Sequence, residues 1–318
     1  MSALSRQQRL KAIISDTLRP VDPIPTQQPA RLHTLSDIRW VVFDIYGTVL
    51  TSAAGEVAAP DETGADDCES FLLKAFQMTA ARYGCGTGPK AGSALAKGFY
   101  DLIETEHLRN SSIHRVYPEV DIRSVWEKAF FDQKCPSLST DNIEEAALRF
   151  ELAVNPVWPM PNAARVFRQL KIAGYQLGIV SNAQFYTPLV LETLLQDTLE
   201  NLGFSVTVWS YEIGTAKPSL SLFHRFLAAA RHSEPGLSAR NILYIGNDMR
   251  NDVDPARKLG FRTALFAGDK RSLRLRENDL ELESVRPDVV LTDLSQITDV
   301  VSGSLKAPAA ETVSRKGS

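Results

Sequence analysis

From residue 161 to residue 292 the chain alternates short apolar runs with amphipathic helical patterns, and that alternation restricts the fold more than any other feature. The apolar runs read "YQLGIVS", "SVTVWS", "NILYIG", "RTALFA" and "PDVVLT". Between them the apolar spacing predicts helices at about 161–173, 186–200, 219–232 and 252–259, the first of them stopped by Gly174. Repeated strand-helix-strand units need crossover connections, so the expected core is a parallel sheet with helices on both faces. One further strand, "IRWVVFD" at 38–44, is apolar throughout, the pattern of a strand buried on both sides. The stretch from 67 to 153 separates it from the rest and reads as helix alone, at 68–83, 92–109, 122–132 and 140–153.

Composition narrows the class. Hydrophobic residues make up 44%, charged residues 23%, and the net charge is -3, which gives no basic excess for a nucleic-acid partner. No window approaches the roughly 18 apolar residues of a membrane span. The first thirty residues intersperse Arg, Gln, Lys and Asp among apolar positions, so no secretory signal is expected and the localisation expected is cytoplasmic. Cys68, Cys85 and Cys135 show no CxxC or Cys/His spacing and are expected to be reduced thiols rather than metal ligands. His107 and His114 have no partner signal and read as surface or packing residues.

In a parallel sheet, ligands bind beyond the carboxyl ends of the strands. The residues there are Asp44 after the first strand, Ser181 and Asn182 after the second, Lys217 after the third and "GNDMRND" after the fourth. This ordered set resembles the haloacid dehalogenase superfamily of hydrolases, whose motifs appear here as "FDIYGT", "IVSNA", "AKPS" and "IGNDMRNDV". The resemblance covers roughly 38–295 and implies an α/β fold: a three-layer, Rossmann-like core from 38–50 and 156–300, with a helical cap inserted at 51–155. Residues 1–37 are expected to add a helix at 4–18 and a proline-rich linker that wraps the body, and 301–318 a disordered tail.

The resemblance also assigns roles. Asp44 is the expected nucleophile, Ser181 the hydroxyl that binds an oxygen of the group under attack, and Lys217 the ammonium that offsets accumulating negative charge. Mg²⁺ is expected between Asp44, the backbone carbonyl of Tyr46, and Asn247, Asp248 or Asp252. Thr48, Asn182, Arg109 and Arg115 are candidate substrate contacts, with Arg123 a further anion-binding candidate and plain solvated charge the competing reading for the arginines. As turn and cap formers, Asp44, Ser181, Asn251 and Asp252 each have a purely structural reading too.

Two positions depart from the family pattern. Phosphatases of the family carry an aspartate two residues after the nucleophile to protonate the leaving alkoxide, and here that position is Tyr46. A phenol is a poor substitute, whereas a halide leaves without a proton, so Tyr46 points toward carbon-halogen chemistry. The fourth motif points the other way, because paired carboxylates beside Asp44 call for a cation, even with Asn247 at the usual first acidic position. Three readings stand open: a Mg²⁺-dependent hydrolase of a small phosphorylated metabolite, a metal-independent hydrolase of haloacid type, and a binding protein on a degenerate hydrolase fold. In each the partner is a small molecule, and nothing in the sequence indicates the oligomeric state. The cap is expected to open and close about hinges near 51–65 and 155–161.

Overall fold

Strand β1 (Trp40–Phe43) is buried at every position, and its side chains divide by the period of two that a pleated strand dictates. Val41 and Phe43 join one apolar cluster, Trp40 and Val42 the other. The computed structural model describes residues 5–53, 66–111 and 116–302, and β1 lies at the centre of its main sheet. The remaining strands of that sheet are β4 (Gln176–Ser181), β5 (Phe204–Trp209), β6 (Ile242–Gly246), β7 (Arg262–Phe266) and β8 (Val289–Leu291). They pair in parallel in the order β5-β4-β1-β6-β7-β8. The chain therefore builds outward from β1 in one direction and then, from β6, in the other, which makes the end of β1 a topological switch point.

Helices α6 (Ala163–Ile172) and α12 (Gln296–Val301) bury their apolar residues in the cluster of Val41 and Phe43. Helix α10 (Leu220–Ser233) buries Leu222, Phe223 and Phe226 in that of Trp40 and Val42, and α11 (Asp254–Lys258) adds Ala256. The single helix expected at 186–200 is divided into α7 (Thr187–Leu195) and α8 (Leu199–Leu202). Gln196 turns left-handed at φ 55°, and the Thr198 hydroxyl caps the second piece. The helix expected from 252 starts earlier, as a wide turn over Met249–Val253 capped by the Asp248 side chain. A one-turn helix, α9 (Ser210–Ile213), follows β5.

Between β2 (Leu50–Ser52) and its antiparallel partner β3 (Val157–Pro159) run the helices α2 (Asp66–Arg82), α3 (Gly88–Asn110), α4 (Ile122–Asp132) and α5 (Thr140–Val154). Their inward faces meet in an aromatic core where Phe76 and Phe150 lie 4.5 Å apart and Phe99 and Trp126 4.6 Å apart. Cys85 and Cys135 form a disulfide, which corrects the expectation of reduced thiols for this pair. Each lies just past a helix C-terminus, and packing brings those two ends together, a juxtaposition that a separation of 50 residues conceals.

Helix α1 (Arg6–Thr17), capped by a Ser5–Gln8 capping box, buries Leu10, Ile13 and Ile14. It bridges the two parts of the molecule: Arg6 and Arg9 pair with Glu144 and Asp141 on α5, and Lys11 pairs with Glu192 on α7 at 2.9 Å. The proline-rich segment after it runs along the far edge of the sheet, where Arg31 and Val290 exchange backbone hydrogen bonds. Among the described residues no helix is long and apolar enough to cross a membrane. The tail from 303 and the loop 54–65, where one hinge was expected, lie outside the described residues.

Candidate active site

Asp44 follows β1, Ser181 is the last residue of β4, and Asn247 and Asp248 follow β6, so three adjacent strands deliver their polar ends to one edge. Lys217 reaches the same point from the loop after α9, held there by Asn182, whose side-chain oxygen accepts the Lys217 backbone N–H at 2.7 Å. The sequence-derived set converges at its centre. Lys217 Nζ donates to Asp44 Oδ1 and to Asp252 Oδ1, each at 2.6 Å, and Ser181 Oγ donates to Asp44 Oδ1 at 2.8 Å. Both donors fall on one oxygen, leaving Oδ2 as the lone-pair donor toward the cavity that Asp44 lines.

The side chains of this cluster are almost fully buried, and two carboxylates share one ammonium. Burial pushes the Asp252 carboxyl up; Lys217 opposes this while Asp44 and Asp248 reinforce it, and the outcome is about 6. Burial alone would lower the Lys217 ammonium, but Asp252 and Asp44 outweigh it and hold the lysine charged, above its ordinary range. Tyr244, unremarked in the sequence, sets its one hydroxyl proton between two acceptors, the Val180 carbonyl at 2.8 Å and Asp252 Oδ1 at 3.1 Å. Backbone approach is tight here. A Cβ on Gly246 would fall 2.3 Å from Asp252 Cγ, and Gly47, at φ 83°, passes so close to Asn247 and Ser272 that a Cβ would meet both.

Several expected ligands and contacts are otherwise engaged. Asp252 Oδ2 accepts the Asp248 backbone N–H at 2.9 Å and Oδ1 accepts from Lys217, so Asp252 is the lysine's counter-ion while Oδ2 keeps a lone pair. Asp248 caps the turn after β6 through the N–H groups of Arg250 and Asn251 and pairs with Arg276 at 2.6 Å, so its oxygens are engaged within the fold. Thr48 is fully buried and donates to Asn247 Oδ1 at 3.0 Å, so it orients that amide and does not line the cavity, contrary to its expected substrate contact. Among the described residues no group of three or more His, Cys, Asp or Glu side chains is placed to hold a metal. Oxygens with a lone pair left for a cation are Asp44 Oδ2, the Tyr46 carbonyl, Asn247 Oδ1 and Asp252 Oδ2, in a buried cluster richer in carboxylate than in ammonium.

Tyr46 shares a hydrogen bond of 2.9 Å with Thr187 Oγ1. Burial, reinforced by Glu151, drives its ionisation far above the ordinary phenol range, so the hydroxyl stays protonated where the ring lines the cavity beside Asp44. Arg109 is exposed and lies near Glu106, away from the cavity, and Arg123 is held by Asp121 at 2.8 Å over the rings of Phe185 and Tyr211. Neither arginine lines the cavity. Arg115 and His114 lie outside the described residues.

The cavity above Asp44 measures about 410 Å³ and has a second wall, built by the helices between β2 and β3. Phe99, Trp126 and Phe150 form its apolar part; Glu119, Glu151 and His107 form its polar part. Sequence reasoning missed all of these, and His107 is a wall residue rather than the surface or packing residue expected. For Glu151 a signal existed, since it falls on the inward face of α5 with Ala147 and Phe150, where a carboxylate has no packing reason to be. Arg274, also missed, lines the cavity beside the fourth motif, where its backbone exchanges hydrogen bonds with Met249 and Asn247.

A family model described as a haloacid dehalogenase-like hydrolase matches residues 38–260. A glyceraldehyde 3-phosphate phosphatase of Methanocaldococcus jannaschii is 26% identical over 147 residues, 45% of this chain and 56% of that protein. A protein of the same name from Methanothermobacter thermautotrophicus is 26% identical over 143 residues, 45% of this chain and 58% of the other. The chain thus spans little more than half the length of the curated relatives it matches. Among solved structures, a 2-haloacid dehalogenase from Pseudomonas syringae pv. Tomato superposes with a TM-score of 0.52 at 18% identity, over 83% of this chain and 97% of that one, a likeness of fold.

Proposed function

The chain belongs to the haloacid dehalogenase-like hydrolases, and from that premise we propose that it hydrolyses a small phosphorylated metabolite through a covalent intermediate on Asp44. The observation that carries this reading is the buried Lys217 shared by Asp44 and Asp252, with Ser181 on the same Asp44 oxygen. Those two donors fix the carboxylate, so that Oδ2 attacks phosphorus while the bond to the leaving oxygen breaks. Lys217 stays charged throughout and offsets the negative charge that builds between nucleophile and phosphoryl group. A water gives its proton to the departing alkoxide, and the hydroxide left attacks phosphorus, breaks the bond to Oδ2 and restores Asp44. The second wall covers the site as a cap and excludes bulk water during the attack.

An all-oxygen set of one carboxylate, one carbonyl and one amide suits Mg²⁺, which commonly takes one or two protein carboxylates and completes its shell with water and substrate phosphate. Asp44, the Tyr46 carbonyl and Asn247 are the residues that would hold it, with Asp252 Oδ2 a further candidate and Asp248 engaged by Arg276. When bound, the ion supplies Lewis-acid shielding between carboxylate and phosphoryl oxygens. The low-identity relatives named as glyceraldehyde 3-phosphate phosphatases support a phosphate ester as substrate.

The specific observation favouring a second reading, release of halide from a small organic acid, is Tyr46, whose buried hydroxyl is a far weaker acid than the carboxyl that would serve a leaving alkoxide. Phosphate release from a panel of small esters, with Mg²⁺ and with chelator, separates the two. Mg²⁺-dependent release is expected; metal-independent halide release from 2-haloacids with no phosphate release would contradict the proposal.

A further inference from the structure

Resting on the phosphatase reading, the geometry points to the class of its leaving group: we propose that the substrate is the phosphate ester of a small amino alcohol, its ammonium held between Glu119, Glu151 and the aromatic wall of the cavity. A phosphoryl group bound at Asp44 necessarily projects its ester substituent into the 410 Å³ cavity, and the insertion helices and their loops supply what that substituent meets. Their contribution to the wall includes Glu119, Glu151 and His107 and, among the described residues, no lysine or arginine. The sheet side contributes Lys217 and Arg274. Such a wall suits a molecule anionic at one end and cationic at the other.

The two carboxylates are built in rather than splayed on a surface. Glu151 is 7% exposed; its oxygens accept from Asn155 at 3.1 Å and from the Tyr186 hydroxyl at 3.0 Å. Glu119 is fixed by Ser210 at 2.7 Å, by the Val120 N–H at 3.0 Å and by Gln184 at 3.3 Å. These partners are all neutral, and among the described residues no cationic side chain forms an ion pair with either carboxylate. A carboxylate taken out of water normally has a countercharge. Burial accordingly raises both carboxyls above their ordinary range in the free protein. An ammonium in the cavity supplies a countercharge, and Phe99, Trp126 and Phe150 give it an aromatic surround. The same wall disfavours a substrate with a carboxylate at that end, which would lie against two like charges.

The test compares 2-aminoethyl phosphate with its neutral analogue propyl phosphate and its anionic analogue carboxymethyl phosphate, using the full chain with Mg²⁺. The expected kcat/KM favours the amine over the neutral ester by on the order of tenfold or more, the scale of one charge-assisted contact, with the carboxylate last. Glu119→Gln and Glu151→Gln should each reduce that preference. Equal or better use of propyl phosphate by the unaltered protein, or a preference that survives the double substitution, overturns the inference. A second readout needs no turnover: calorimetric binding of 2-aminoethylphosphonate against propylphosphonate. If no ester is hydrolysed, the phosphatase reading falls. The binding comparison then still decides this one, tighter binding of the amine supporting it and equal or weaker binding overturning it.

Discussion

One cavity has two walls of opposite legibility. At the sheet edge Asp44, Ser181, Lys217 and Asp252 form a closed set of short hydrogen bonds around one ammonium. Across from them Glu119 and Glu151 face the same space with only neutral partners among the described residues. The first wall is satisfied within the protein and, in the proposed phosphatase reaction, serves a step that does not depend on what the ester carries. The second lacks a countercharge among the described residues, which is the property expected of a surface whose remaining partner is a ligand.

Substitutions that exchange the character of the two walls sharpen this contrast. Removing the shared cation is expected to do the most: Lys217→Met leaves Asp44 and Asp252 buried without a countercharge and should destabilise the fold by about 3–5 kcal/mol, measurable by denaturant titration, with turnover lost. If stability were unchanged, the sheet-side cluster would not be the closed unit described. Next, Tyr46→Asp returns a carboxyl to the leaving-group side and should speed hydrolysis of alkyl phosphates by up to about 10²-fold while changing little for aryl phosphates, whose oxygen leaves without a proton. No gain on alkyl esters would mean that the leaving oxygen finds its proton elsewhere.

The second wall should respond to pH. Burial raises the Glu151 carboxyl above its unfolded value, so its stabilising contribution is full below about 4.3, where both states are protonated, and is lost as pH climbs through the folded value. Glu151→Gln does not titrate, and its melting temperature relative to the unaltered protein should therefore rise between pH 5 and pH 8 without ligand. A difference that is flat or falls over that range would contradict an unpaired carboxylate. The smallest effect belongs to a place remote from both walls. Arg9→Ala removes an exposed ion pair between α1 and α5 and should shift stability by about 0.5 kcal/mol or less. A larger loss would give the α1 bridge a greater part in holding the walls together.

The helices and strands were legible because their signals are local: the continuous apolar run of β1, the helical spacing of apolar residues, and Gly174 after α6. The nucleophile set was legible because a parallel sheet gathers its strand ends, so order along the chain becomes nearness in space. What escaped depends on contacts distant in sequence. Cys85 finds Cys135, Arg276 takes Asp248, and Thr187 takes the Tyr46 hydroxyl, none of which any spacing encodes. Asp252 shows the limit most clearly. Its position marks it as a site residue, but only the fold shows that it also serves as the counter-ion of Lys217 and accepts the Asp248 N–H.

The central claim is that Asp44 carries the phosphoryl group, and it can be read directly by rapid acid quench during turnover of an aryl phosphate, followed by peptide mass spectrometry. A base-labile phosphoryl adduct on Asp44, absent from Asp44→Asn together with its turnover, is the result expected from the Lys217 and Ser181 geometry. Turnover that persists in Asp44→Asn, or an adduct on another residue, would contradict it.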